Sequence, residues 1–268
     1  MPLSEPMLGE PMLGEKVVLI SGVGPGLGQA IALRSALAGA DVVLAARTES
    51  RLAEVAGKVA ATGRRALVVP TDITDEASAA ALVRAAVDEF GRVDTLVHNA
   101  FAMPPMRDLT KVDLAELRPA FETNVYAALR LTRLLKPTLV AAHGSVVMVN
   151  SAVLRHSRRT FGAYKMAKAA LLALAQSLST ELGPQGVRVN SVAPSYIWDD
   201  QLRTYFEYLG TRRGVPAQQV YDEIAATTDL RRLPEPDEIA DTIVFLASDL
   251  ARAVTGQCLD VNGGEFHH

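Results

Sequence analysis

Four aliphatic residues in a row, Val17-Val18-Leu19-Ile20, run directly into Ser21-Gly22-Val23-Gly24-Pro25-Gly26-Leu27-Gly28. An apolar run without polar alternation suits a strand buried on both faces, and such strands belong to parallel sheets covered by helices. Gly22, Gly26 and Gly28 permit a tight turn and a close approach of backbone to a ligand. The helix predicted over 28–38, closed by Gly39, points free N–H groups and its positive dipole end back at that turn. Strand, glycine loop and helix in this order are the setting of a dinucleotide site; the plain alternative is a glycine-rich connection without a ligand.

The alternation continues along the chain. Strands are predicted over 41–46, 66–70, 95–98, 145–150, 187–192 and 257–261, and helices over 75–90, 113–135, 161–182 and 236–246, with Asp75 or Thr74 capping the first of these. Residues 196–233 read as less regular. Strands alternating with helices specify an α/β fold, a doubly wound parallel sheet of Rossmann type in three layers, α/β/α. A closed barrel is the competing architecture; the glycine motif in the first strand–helix turn favours the open sheet. Neither a shift of composition nor a Gly/Ser/Pro linker interrupts 16–268, so a single dinucleotide-binding domain is expected there, with a substrate lid over 196–233. Ahead of it, Glu5-Pro-Met-Leu-Gly9 repeats at once as Glu10-Pro-Met-Leu-Gly14. Two copies cannot stack into a solenoid, and 1–15 is expected to be a poorly ordered leader.

Composition narrows the class. Apolar residues make up 49% of the 268, enough for a large core and too many for a disordered chain. Lys plus Arg number 27 against 30 Asp plus Glu, a net charge of −3, which leaves no footprint for nucleic acid or an anionic membrane. A single cysteine, Cys258, excludes an internal disulfide and a cysteine zinc cluster and fits a reducing, cytoplasmic setting. None of the five histidines has zinc-ligand spacing, and no metal is expected. No apolar run reaches the roughly 18 residues of a transmembrane helix, and Glu5, Glu10 and Glu15 stand where a signal peptide is basic.

Tyr164 and Lys168 are four apart in the helix predicted over 161–182, so they share a face. Ser151 follows the strand that ends at Asn150, and loops after strand C-termini converge on the ligand crevice of a parallel sheet. Reducing a carbonyl requires a hydride and then a proton for the developing alkoxide. A tyrosine can give that proton, but its free pKa is about 10, and a nearby ammonium favours the phenolate. Ser151 can donate a hydrogen bond to the substrate oxygen. On its own, a Tyr-x-x-x-Lys is commonplace on helix surfaces.

In combination these pieces resemble the short-chain dehydrogenase/reductase family, in its single-domain branch. The matching residues, spread over nearly all of 16–265, are Ser21-Gly22-x-x-x-Gly26-Leu27-Gly28, Asp72-Ile73, Asn99-Ala100, Asn124-Val125, Ser151, Tyr164-x-x-x-Lys168 and Pro194-Ser195-x-Ile197. The resemblance implies an Asn124–Ser151–Tyr164–Lys168 tetrad, with Asn124 kinking its helix and holding a water that links Lys168 to solvent. It implies that Gly22, Pro25, Gly26, Leu27 and Gly28 hold the cofactor together with Tyr164 and Lys168. Asp72 and Ile73 are implied at the adenine, Asn99 and Ala100 along the adenosine, and Pro194, Ser195 and Ile197 at the nicotinamide. It also implies a homodimer or homotetramer, in keeping with the apolar Ala167, Ala169, Leu171, Leu172, Leu174 and Leu178 on several faces of one helix.

There are departures. His98-Asn99-Ala100-Phe101 puts a ring where the family has glycine, Ser195 replaces another glycine, and Asp199 falls where a threonine often holds the carboxamide. The second strand ends Ala45-Ala46-Arg47, without the acid that holds the ribose of NAD. Arg47 suits a 2′-phosphate by charge and by its planar fork, with Glu49 as the competing ribose acid, so NADP is expected as cofactor and NAD remains open. The cluster Arg155, His156, Arg158 and Arg159 is either a greeting site for a substrate anion or a solvated loop. Tyr196, Trp198, Tyr205, Phe206, Tyr208 and Tyr221 are either a pocket wall, which favours a bulky apolar small-molecule substrate, or ordinary packing. The expected activity is interconversion of a secondary alcohol and a ketone. The rivals are a sugar-nucleotide epimerase or dehydratase and a dinucleotide sensor without turnover.

Overall fold

Apolar strands that alternate with helices have to pair in parallel, and they do. The computed structural model describes residues 11–267. Its strands are β1 (Val17–Ser21), β2 (Asp41–Ala46), β3 (Ala66–Pro70), β4 (Thr95–His98), β5 (Ser145–Val149), β6 (Arg188–Pro194) and β7 (Cys258–Val261). They form one parallel sheet in the order β3-β2-β1-β4-β5-β6-β7. The helices are α1 (Leu27–Leu37), α2 (Glu49–Ala60), α3 (Glu76–Phe90), α4 (Leu114–Phe121), α5 (Ala127–Ala141), α6 (Gly162–Leu182), α7 (Asp200–Arg213), α8 (Ala217–Ala225) and α9 (Pro236–Ala247).

Successive strand residues face opposite ways, which splits the core in two. Val18, Ile20, Val42, Leu44 and Val147 pack with α1, α2 and α9. Val17, Leu19, Val43, Leu96, Val146 and Met148 pack with α3, α5 and α6. Strand order reverses between β1 and β4, where Ser21 stands opposite Ala45 on one side and His98 on the other. A doubly wound sheet opens its ligand crevice at that switch point.

Several boundaries differ from expectation. The helix expected over 113–135 is α4, a π-helical turn at Glu122–Tyr126, and then α5. Asn124 supplies the reason, because its Nδ2 donates to the carbonyl of Ala120 at 2.8 Å and so competes for the acceptor its own N–H takes in an α-helix. Helix α2 was absent from the sequence reading. The segment 196–233 holds two regular helices, α7 and α8, with their own small core of Phe206, Val220 and Leu233.

The expected leader also needs correction where it is described. Leu13 is fully buried in the core, and its N–H donates to the carbonyl of Ala38 at 2.8 Å. That carbonyl lies just past the end of α1, where acceptors lack helical partners. Leu13 therefore belongs to the core, and the rest of the expected leader, 1–10, lies outside the described residues. Among the described residues no helix is long and apolar enough to cross a membrane, and no group of three or more His, Cys, Asp or Glu could hold a metal ion.

Candidate active site

The glycine loop is shaped by crowding as well as by backbone angle. Gly22 and Gly26 have φ of +88° and +79°, a region that favours glycine. A Cβ on Gly22 would strike the backbone of Ala100, and one on Gly28 would stand 2.5 Å from the carbonyl oxygen of Gly22. Asn99 pins the loop from the end of β4, its Nδ2 donating to that same carbonyl at 2.7 Å. Gly26 is the N-cap of α1, which has no capping side chain and no acid in its first turn. Its positive end is left for an anion from elsewhere.

A cleft of about 950 Å³ runs from this loop across the ends of β4, β5 and β6. Its lining includes Gly22, Pro25, Leu27, Gly28, Arg47, Asp72, Ile73, Asn99, Ala100, Ser151, Tyr164, Lys168, Pro194, Ser195 and Ile197. Two of the residues singled out in the sequence stand behind the wall. Gly26 is covered by the Asp199 carboxylate. Asn124, only 2% exposed, spends its Nδ2 on the carbonyls of Ala102 and Ala120, at 2.8 Å each. Its Oδ1 is buried without a partner, and such an atom calls for an internal water or a ligand.

At the adenosine end, Arg47 is exposed on the cleft wall. Arg51, on the first turns of α2, lines the cleft as well. Sequence reasoning missed it because it missed α2; an Arg four residues beyond Arg47, after the helix-capping position Thr48, was the available signal. Glu49, the rival ribose acid, is not on the wall. The carboxyl of Asp72 is held below its ordinary pKa by the hydroxyl of Thr74, which donates to it at 2.6 Å, by the Thr74 N–H, and to a lesser degree by the charge of Arg47.

At the other end, Ser151 and Tyr164 both line the cleft, and Ser151 Oγ accepts the N–H of Val153 at 3.2 Å. Lys168, one turn further along α6, is 3% exposed. Its Nζ donates to the carbonyl of Val149 at 2.8 Å and lies 5.9 Å from the centre of the Tyr164 ring. Burial draws its pKa down from 10.5 to about 8. The phenol is pushed up by burial, and Ser151 offsets this only in part. The Lys168 ammonium faces a carbonyl of β5 while staying within 5.9 Å of the phenol ring. Phe101 projects into the same region, with Lys168 Nζ 6.0 Å from its ring centre.

Two further readings of the mouth are decided by packing. Arg155, Arg158 and Arg159 pair with Asp260, Glu265 and Asp108 at 3.0, 2.9 and 2.7 Å, so the basic cluster is neutralised internally. Ser195 donates to Glu265 as well. Trp198 packs on Tyr221 and Phe206, with ring centres 4.5 and 5.5 Å apart, and Phe206 is fully buried. Tyr196, Trp198, Phe206 and Tyr221 thus form the core on which α7 and α8 pack, while Tyr205 and Tyr208 are exposed.

A family model described as enoyl-(acyl carrier protein) reductase matches residues 22–265. The chain is similar to an uncharacterized oxidoreductase of Mycobacterium tuberculosis, 39% identical over 93% of this chain and 92% of that one. It is similar to a solved 7α-hydroxysteroid dehydrogenase complexed with NADH and 7-oxo glycochenodeoxycholic acid, at 30% identity and a TM-score of 0.85, covering 95% of this chain and 96% of that one. It is also similar to L-sorbose reductase from Gluconobacter frateurii complexed with NADPH and L-sorbose, at 29% identity and a TM-score of 0.89, covering 96% and 98%. With the parallel sheet, the glycine cradle and the Ser151–Tyr164–Lys168 cluster, these likenesses establish that the chain belongs to the short-chain dehydrogenase/reductase family of NAD(P)-dependent alcohol/ketone oxidoreductases.

Proposed function

We propose that the chain interconverts a secondary alcohol and a ketone with Tyr164 as the acid/base. The observation that carries this reading is Ser151, Tyr164 and the buried Lys168 together at one end of a cleft whose other end is a glycine loop at an uncapped helix start. A nicotinamide dinucleotide supplies hydride exchange with the substrate carbon. Gly22, Pro25, Gly26, Leu27, Gly28, Asp72, Ile73, Asn99, Ala100, Pro194, Ser195 and Ile197 are the residues assigned to hold it.

In this reading Ser151 donates to the substrate oxygen and orients it. Tyr164 delivers its proton to that oxygen in reduction and accepts one in oxidation. The high pKa of the free phenol keeps the proton in place until charge develops on the substrate. Lys168, its ammonium 5.9 Å from the ring centre, favours the phenolate by its charge. Asn124, with its orphaned Oδ1, is assigned to hold the water that returns the proton.

The preferred cofactor is NADP(H). Arg47 and Arg51 both line the adenosine end, and among the described residues neither forms a salt bridge. The proposed substrate is an uncharged carbonyl or alcohol, because the arginines at the mouth are already paired. A bulky apolar preference loses its support with the aromatic wall. A homodimer or homotetramer is proposed from the exposed Met166, Tyr126 and Leu134 on α6, the π turn and α5, and light scattering reads it directly.

The test is Tyr164→Phe with a panel of secondary alcohols and ketones, followed by nicotinamide absorbance. Turnover should fall about 10²- to 10⁴-fold while the dissociation constant for the dinucleotide is kept. A variant with near wild-type kcat on a confirmed substrate would refute the assignment.

A further inference from the structure

The carboxylate of Asp199 packs against the glycine cradle. It lines the cleft. One oxygen, Oδ1, caps α7 by accepting the N–H of Leu202 at 2.9 Å. The other, Oδ2, lies 2.5 Å from the place a Cβ on Gly26 would take. Gly26 in turn is the N-cap of α1, with neither a capping side chain nor an acid in the first turn. A helix start of that kind attracts anions. In the free protein an anion set against it is the chain's own.

The proposed cofactor brings a diphosphate to the same loop. Carboxylate and diphosphate would then share one helix end, and like charges at contact distances repel strongly where water is partly excluded. Oδ2 has no hydrogen-bond donor within reach among the described residues that would hold it in place against this repulsion, whereas Oδ1 is tied to the start of the lid.

We propose that Asp199 holds down the affinity of this site for diphosphate-bearing ligands, and that cofactor binding pushes its free oxygen off Gly26. The inference rests on the cofactor reading above.

Titration calorimetry on the whole chain tests it with NADH, NADPH, ADP and adenosine, comparing wild type with Asp199→Asn. Asparagine caps a helix as well as aspartate, so α7 should persist, and Asp199→Ser gives a second uncharged cap. Both variants should bind NADH, NADPH and ADP about tenfold tighter, the size of one like-charge contact at a dielectric between protein and water. Adenosine, which lacks the diphosphate, should bind unchanged. Unchanged or weaker binding of the three phosphorylated ligands would overturn the inference and leave the cofactor reading intact. Equal tightening of adenosine would also overturn it, pointing to a rearranged lid in place of charge. Wild type that binds none of NADH, NADPH and ADP would overturn the cofactor reading itself.

Discussion

Replacing Lys168 with methionine should make the protein more stable at neutral pH than its inactive chemistry suggests. The ammonium is 3% exposed and has the Val149 carbonyl at 2.8 Å as its acceptor. Burial lowers its pKa from 10.5 to about 8, and a gap of that size corresponds to about 3 kcal/mol. The folded value lies below the unfolded one. Between pH 8 and 10.5 the unfolded chain therefore holds a proton that the folded chain has lost, so stability rises with pH across this window. Below pH 8 the penalty is present in full. Lys168→Met removes the charge at similar length but leaves the Val149 carbonyl unpaired, which costs about 1–3 kcal/mol. Unfolding in urea at pH 7.0 and 9.5 separates the two effects. Relative to the variant, wild type should gain about 2 kcal/mol between those pH values, while turnover is lost in the variant at both. Cys258, whose thiol is pushed up to about 11 by burial, titrates in both proteins and cancels in the difference. A stability difference independent of pH would refute the idea that Lys168 carries a buried charge penalty.

Arg47→Ala and Arg51→Ala should each lower the ratio of kcat/KM for NADPH over NADH, by about tenfold, since a hydrogen bond to a charged group contributes about 1.5–3 kcal/mol and exposure takes the lower end. A ratio unmoved by both substitutions would remove the 2′-phosphate from this corner. Leu13→Ala should destabilise the domain by about 2–5 kcal/mol, as for other fully buried leucines, read from urea unfolding. A loss below about 0.5 kcal/mol, the range of surface changes, would show that the segment before β1 is not part of the core.

The sequence by itself determined the parallel sheet and the place of its crevice. Unbroken aliphatic strands suit burial on both faces, glycines at 22, 26 and 28 suit a tight turn or a close approach, and Tyr164 and Lys168 share a helix face whatever surrounds that helix. These are local constraints, visible in short windows of the chain. The tertiary structure decided what depends on partners distant in sequence. Leu13 reads as part of a loose leader until Ala38 offers it a carbonyl. The arginines after Ser151 read as a free basic cluster until Asp108, Asp260 and Glu265 neutralise them. The aromatics of 196–221 read as either a pocket wall or ordinary packing until Tyr196, Trp198 and Tyr221 close around Phe206. Lys168 reads only as the cation beside Tyr164; the fold adds the carbonyl of Val149 as its acceptor. Asp199 reads as an odd substitution until the fold sets it on Gly26. A residue's type states which interactions it can make; only the folded chain decides which partner is close enough to take them.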